Sequence, residues 1–447
     1  MLRIITTITF TLTCILLQAQ LVQVQGLYET DNVTSYNQAD DPAIYVHPTN
    51  SDSSFFIGTD KSGSGRLELY NMDGSRYSWT TPGASMNNVD VLYGFPLGND
   101  TVDLVGCSNR SANRLEMYKV DDNTRTLINI TGSTSTGLVS LYGFIFHKDV
   151  CNDKYYAFIT LKNSSGFVYQ YELTDNGSGQ INATLVRQIL NLPTRTEGMC
   201  ADKVLGHLYV AEESTGVWKY NADPATGNAR TLMDTVGING NLTLLVEGIC
   251  IYYATDTTGY IIVSSQGAST YQVYDRAGNN AFLGEFEIIA GTVSDAFAAD
   301  GIDVMSFPTS STYPNGVFIT HDNAGAGQYT NYMTVPWERI ADSLNLDIVT
   351  TLDPRLIGSD YCNQGVGIDE SENDLELQIF PNPFTGDVQL SWNDYTTVRE
   401  ITIYNAIGVE VFRQLISKNQ VIQLSHLNAG MYFMRTENKT YKIVKSN

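Results

Sequence analysis

Short apolar runs of about 4–8 residues, opened and closed by polar side chains, recur along most of the chain and predict β-strands. Six runs open in a similar way: ADDPAIYVHP, NNVDVLYGF, LYGFIFHKD, TEGMCAD, VEGICIYYA and ADGIDVMSF. Taking Asp41, Asp90, Tyr142, Glu197, Glu247 and Asp300 as their leading residues gives successive spacings of 49 to 55 residues. That period belongs to propeller blades rather than to helical repeats. A second run in each unit ends in FFIGTDK, VDLVGCSNR, YAFITLK, LYVAEE, YIIVSSQ or GVFITHD, closing at Lys61, Arg110, Lys162, Glu213, Gln266 and Asp322. Five units then carry a third run ending in tyrosine beside turn residues, such as LELYNMDG and VWKYNADPATG. The fold class expected is therefore all-β, a six-bladed β-propeller, with WERIADSLN (337–345) its one helix candidate.

Antiparallel pairing sets the start of one strand beside the end of the next, so openings and closings should share one face. In a propeller the first strand of each blade lines the axis, and the six openings converge there. The expected inner ring is acidic except for Tyr142, and the closing ring is mixed, with Lys61, Arg110 and Lys162 on one half. Glu197 and Glu213, the two ends of RTEGMCADKVLGHLYVAEE, belong to adjacent rings of this face. One strand-end carboxylate is unremarkable, but a phased set creates mutual repulsion that cations or bound protons must relieve.

Beyond the repeats, Thr350 to Asp374 is rich in Gly and acidic residues, and LQIFPNPFTGDVQLSW, ITIYNAIGVEVFRQL and LNAGMYFMRTENKTYKIVK again alternate polar and apolar positions. The expected organisation is a signal peptide over 1–19, with cleavage near Ala19 or as late as residue 25, a propeller over 27–355, a linker over 356–373 and a small β-sandwich over 374–447. Ile4 to Leu17 is too short for a membrane span. Export would permit disulfides, but after loss of Cys14 five widely spaced cysteines remain, and Cys200 and Cys250 face apolar runs as expected of buried thiols.

Net charge is −22, and the last 74 residues hold seven acidic and seven basic side chains, so the imbalance lies in the repeats. This excludes nucleic acid as the expected partner. Clustered carboxylates with Asn and Gln are hard oxygen donors suited to calcium; His47, His147, His207 and His321 do not recur in phase, which argues against zinc. Lys61, Arg110 and Lys162 beside such a centre suit phosphate oxygens. No serine-triad, G-x-S-x-G or P-loop pattern is present, so hydrolysis would proceed through metal-activated water.

DDPAIYVHP, NNVD, SNRS, YGF, TEGM, AEE, VEG, SSQG, DGIDV and VPWERIAD, in this order, resemble the β-propeller phytases, calcium-dependent 3-phytase-type phosphatases of myo-inositol hexakisphosphate. The resemblance implies several calcium ions and an active face receiving the phosphates of phytate. By motif match, Lys61, Arg110, Tyr142 and Lys162 would contact phosphate. Asp40, Asp41, Glu197, Glu213, Glu247, Gln266, Asp300 and Asp303 would hold or surround calcium, with Glu197 near the activated water. Two positions depart from the family pattern: Leu245 stands where an aspartate is usual, and Ser62 where a second lysine often is. The C-terminal PNP, YNAIG and LNAGMYFMR elements resemble type IX secretion sorting domains, implying that machinery as a partner and a secreted or cell-surface location. A monomer without a transmembrane segment is expected. The alternatives are a non-catalytic propeller binding a polyanion or glycan through calcium, a calcium-dependent lactonase or esterase, and, for the tail alone, a carbohydrate-binding sandwich.

Overall fold

In the computed structural model, the residues described are 21–446 except 34–37, 82, 164–165, 324–329, 360, 362–377, 392–397, 407, 418–419 and 437–439. The expected signal peptide lies outside them. Two compact units divide at Tyr361 and Cys362.

In the first unit six antiparallel sheets are built from strands in chain order. Their innermost strands are Ala39–Tyr45, Met86–Leu97, Leu141–Asp149, Thr196–Asp202, Val246–Tyr253 and Ile302–Met305. Each contacts the innermost strand of the next blade, and the sixth returns to the first, closing the circle. Two N-terminal strands complete it. Tyr28–Glu29 pairs antiparallel with Asn331–Pro336 as the outer strand of blade 6, and Leu21–Gln25 adds in parallel to Phe282–Ile289 of blade 5. Blade 6 reaches four strands only with Tyr28–Glu29, so residues from the start of the chain complete the last blade and tie the ring closed. Leu21–Gln25 also precedes the expected domain start at residue 27.

The core lies between neighbouring sheets, where alternate residues interdigitate. Leu104, Met117, Phe144, Phe146 and Ile159 pack between blades 2 and 3, and Cys250, Ile262, Ile302, Phe318 and Met333 between blades 5 and 6. Cys107, Cys200 and Cys250 are buried thiols and Cys151 is disulfide-bonded. The expected helix forms at Trp337–Leu344, with Asn345 as its left-handed C-cap and Trp337 stacked on Tyr252 at 4.2 Å between ring centroids. The following segment does not start a free linker at 356. Arg355 binds Asp103, Ile357 is buried against the central tunnel, and the Gly358 N–H donates to Asp256 at 2.7 Å.

The second unit has a three-stranded and a four-stranded sheet sharing a core of Val388, Leu390, Ile401, Ile403, Met434 and Ile443, a small sandwich. Among the described residues, no helix is long and apolar enough to cross a membrane.

Candidate active site

The face is built by one local irregularity repeated around the circle. In blades 1–5 the pairing of the first two strands skips at the same place, between Ala39 and Pro42, Met86 and Val89, Leu141 and Phe144, Thr196 and Met199, and Val246 and Ile249. Such bulges re-aim side chains at sheet ends. Immediately beyond it, the closing residue's N–H donates to the carbonyl two positions before the ring residue. These bonds run Lys61 to Gln38 (2.8 Å), Arg110 to Ser85 (2.9 Å), Lys162 to Ser140 (2.8 Å), Glu213 to Arg195 (3.0 Å) and Gln266 to Leu245 (2.9 Å).

This register corrects the phasing expected from sequence. The residues in equivalent positions of blades 1–5 are Asp40, Asn87, Tyr142, Glu197 and Glu247, with Asp300 in blade 6. Asp41 lies one residue past the ring and Asp90 three. Both stitch one blade to the next, Asp41 accepting the Val89 N–H at 3.0 Å and Asp90 the Phe146 N–H at 2.7 Å. Asp303 does the same for the Ile44 N–H at 2.8 Å, from within the tunnel below the ring. An innermost strand has no sheet neighbour on its axial side, so these N–H groups need side-chain acceptors. Burial still pushes Asp90 up to about 6 and Asp303 up to about 7. In blade 6 the closing position is Asn323, whose N–H binds Phe297 O; Asp322 is buried and accepts the Phe297 N–H.

Glycine follows the ring residue in blades 3 to 6 because the next blade approaches there. A Cβ at residue 198 would lie 1.7 Å from Glu247 O, and one at 301 would lie 2.0 Å from Asp41 Oδ1. The N–H groups left free by the bulge run around the circle, Gly248 to Asp300 O and Gly301 to Asp40 O, each at 2.9 Å.

Glu197, Glu213 and Glu247, all buried, bring carboxylate oxygens within 4.8 Å of one another. Burial pushes Glu197 and Glu247 well up, with Asp40 and Glu247 acting further on Glu197, and Asp300 and Glu213 on Glu247. Burial also raises Glu213, against Arg195 and Lys162. Glu213 Oε1 and Glu247 Oε2 have no hydrogen-bond partner. Three repelling carboxylates, two of them with a buried unpaired oxygen, and no nitrogen or sulfur donor fit a hard divalent cation. Gln266 turns its amide nitrogen to Asp300. Asp40 is already committed, one oxygen to Lys61 and the other to the Asn87 amide at 2.8 Å.

Asn87 is the residue sequence reasoning missed. Its nitrogen also donates to Glu197 Oε1 at 2.6 Å, and its oxygen accepts from Arg110 Nη1 at 2.8 Å, so one amide joins acidic and basic halves. The search for carboxylates passed over it; its alignment with Glu197 and Glu247 once the bulge is counted was the available signal.

Lys61, Arg110 and Lys162 line an open depression of about 530 Å³ with Gln38, Ser85, Ser111 and Ser140. Tyr142 stands beneath two of them, its ring 6.0 Å from the Arg110 guanidinium and 5.3 Å from Lys162 Nζ. The Ser108 hydroxyl fixes its carbonyl at 2.6 Å, and burial followed by Glu197 and Glu247 drives its phenol far up, so it stays protonated. Lys61 is shared with the ring, pairing with Asp40 and, at 3.3 Å, Asp300; although burial opposes its charge, these carboxylates raise its pKa. Leu245, at the noted departure, sits at φ 65° and is 43% exposed.

Residues 5–359 match the Phytase family. A curated relative, the 3-phytase of Bacillus subtilis (strain 168), is 37% identical over 327 residues, covering 71% of this chain and 84% of that one. The chain belongs to the phytase family. Residues 378–446 match the secretion system C-terminal sorting domain, so this phytase-family propeller carries an export module. Among solved structures, a luciferin-regenerating enzyme (10% identity, TM-score 0.43, 72% of this chain and all of that one) and a BBS1N–ARL6DN complex (10%, 0.39, 65% and 78%) are loose likenesses with no bearing on the chemistry.

Proposed function

We propose that this chain is a secreted, calcium-dependent phosphomonoesterase that hydrolyses phytate. The observation that carries the reading is the juxtaposition, on one face, of the Glu197–Glu213–Glu247 cluster with Lys61, Arg110 and Lys162. Glu197, Glu213 and Glu247 would hold calcium, with Gln266 and Asp300 beside them; Asp40 supports the centre through Lys61 and Asn87. Asp41 and Asp303 brace the blades beneath it. When bound, calcium supplies positive charge and Lewis acidity to the phosphoryl group and to an attacking water.

The chain's own residues do the rest. Arg110 and Lys162 offer charge-assisted hydrogen bonds to phosphate oxygens, and Lys61 adds a third cation at the edge of the acidic half. Tyr142, held as a phenol, donates a hydrogen bond, with Glu197 one partner. Glu197 takes the Asn87 amide on Oε1, and its carboxylate would receive the proton of the attacking water. The C-terminal sandwich would direct the protein through the type IX machinery, after a signal peptide ending near Ala19; cleavage at residue 25 would delete the strand Leu21–Gln25.

The test is release of inorganic phosphate from phytate with calcium and with EDTA. Calcium-dependent release is expected. Release unaffected by EDTA refutes the calcium mechanism, and tight phytate binding without release would mark a binding propeller.

A further inference from the structure

Gln38, Ser85 and Ser140 each lie two residues before a ring residue, accept a closing residue's N–H, and line the basic depression. Arg195 holds the same position in blade 4, with its carbonyl accepting the Glu213 N–H at 3.0 Å. It is thus the next residue around the same face after Ser140, and puts a cation where blades 1 to 3 carry Gln38, Ser85 and Ser140. Its side chain, 46% exposed, is not locked down: Nη1 stands 3.6 Å from Glu213 Oε2, an ion pair longer than a formed hydrogen bond. Glu213 Oε1 is unpartnered. Arg195 and, more weakly, Lys162 both oppose the upward push of burial on Glu213.

Glu213 therefore faces two claims, from the guanidinium on its exposed side and from a cation shared with Glu197 and Glu247 on its buried side. A carboxylate held by a divalent cation has less negative charge to offer an arginine 3.6 Å away, and that arginine then becomes available to anions. We propose that Arg195 and a divalent cation compete for Glu213, so that cation binding releases the guanidinium to bind substrate phosphate oxygens beside Lys162. Arg195 is on this view a substrate-binding residue whose availability couples calcium loading to anion binding, and the inference rests on the phytase reading above only for its second half.

Calorimetric titration of calcium alone into the full chain tests the first half. Arg195→Ala should bind calcium about two- to fivefold more tightly at the site involving Glu213, the range spanned by one partly exposed ion pair, and Arg195→Lys should lie between it and the parent. With phytate, Arg195→Ala should raise KM about tenfold, the loss of one charge-assisted hydrogen bond, with the loss falling on KM rather than kcat; Arg195→Lys should recover part of it. Calcium affinity that is unchanged or weakened in Arg195→Ala, or a KM that does not move, overturns the proposal. If the parent releases no phosphate from phytate, the functional reading has failed. The calcium titrations then still decide the competition, and inorganic phosphate titrated onto the calcium-loaded proteins replaces KM.

Discussion

Gly198→Ala is the sharpest test of how the ring is held. The added methyl would sit 1.7 Å from Glu247 O, 2.5 Å from Glu247 C and 3.1 Å from Gly248 Cα, all backbone atoms. Restoring ordinary contact requires the innermost strands of blades 4 and 5 to part by on the order of 1.5 Å in an interior packed like a crystal. The strands are not free to do so, because Gly248 is tied onward to Asp300 O and Gly301 to Asp40 O. Overpacking costs about 1–3 kcal/mol, and with backbone on both sides the upper end, about 3 kcal/mol, is expected. The same displacement separates Glu197 from Glu247, and a misplacement of about 1 Å costs on the order of a hundredfold in rate. Denaturant unfolding gives the stability and phosphate release from phytate the rate. Gly63→Ala, where nothing lies within 4 Å of the added carbon, is the stability control and should stay within about 0.5 kcal/mol. Gly198→Ala matching the parent in both stability and turnover would refute the close-packed belt.

Three further outcomes follow from the same geometry. Because the native-state carboxyl pKa values of Glu197 and Glu247 lie above their unfolded values, their contribution to stability is fully present at low pH and is lost as pH rises through the raised values. In EDTA the unfolding midpoint should thus fall as pH rises above the ordinary glutamate range, and calcium at about 100 times its Kd should restore about 2.7 kcal/mol, with the larger gain toward higher pH; a calcium effect that does not change with pH contradicts the assignment. Glu197→Gln removes one repelling charge, so in EDTA at neutral pH the midpoint should hold or rise while turnover falls at least about a hundredfold; unchanged turnover removes Glu197 from the mechanism. Asn87→Ala strips hydrogen bonds from Asp40, Glu197 and Arg110 at once and should cost about 1–3 kcal/mol along with activity; a neutral result would deny the amide its bridging place.

Periodicity in the sequence was enough for six blades, the helix at 337–345, and a face combining Lys61, Arg110 and Lys162 with Glu197, Glu213 and Glu247. These follow from one-dimensional facts, the alternation of apolar positions and the geometry of antiparallel hairpins, which hold wherever the chain folds as strands. Residue-level phase did not follow. A bulge inserts residues without altering the apolar pattern, so Asp41 and Asp90 looked like ring members while Asp40 and Asn87 occupy the ring. Only the pairing of each first strand with its second decides that register, since one residue's slip reverses the face a side chain points to. The same holds for Asp303, equivalent in residue type to a ligand but bound to a neighbouring blade's N–H, and for the strands at Leu21–Gln25 and Tyr28–Glu29. Their partners lie 264 to 306 residues away, and no local pattern records which sheet edge will be left open to receive them.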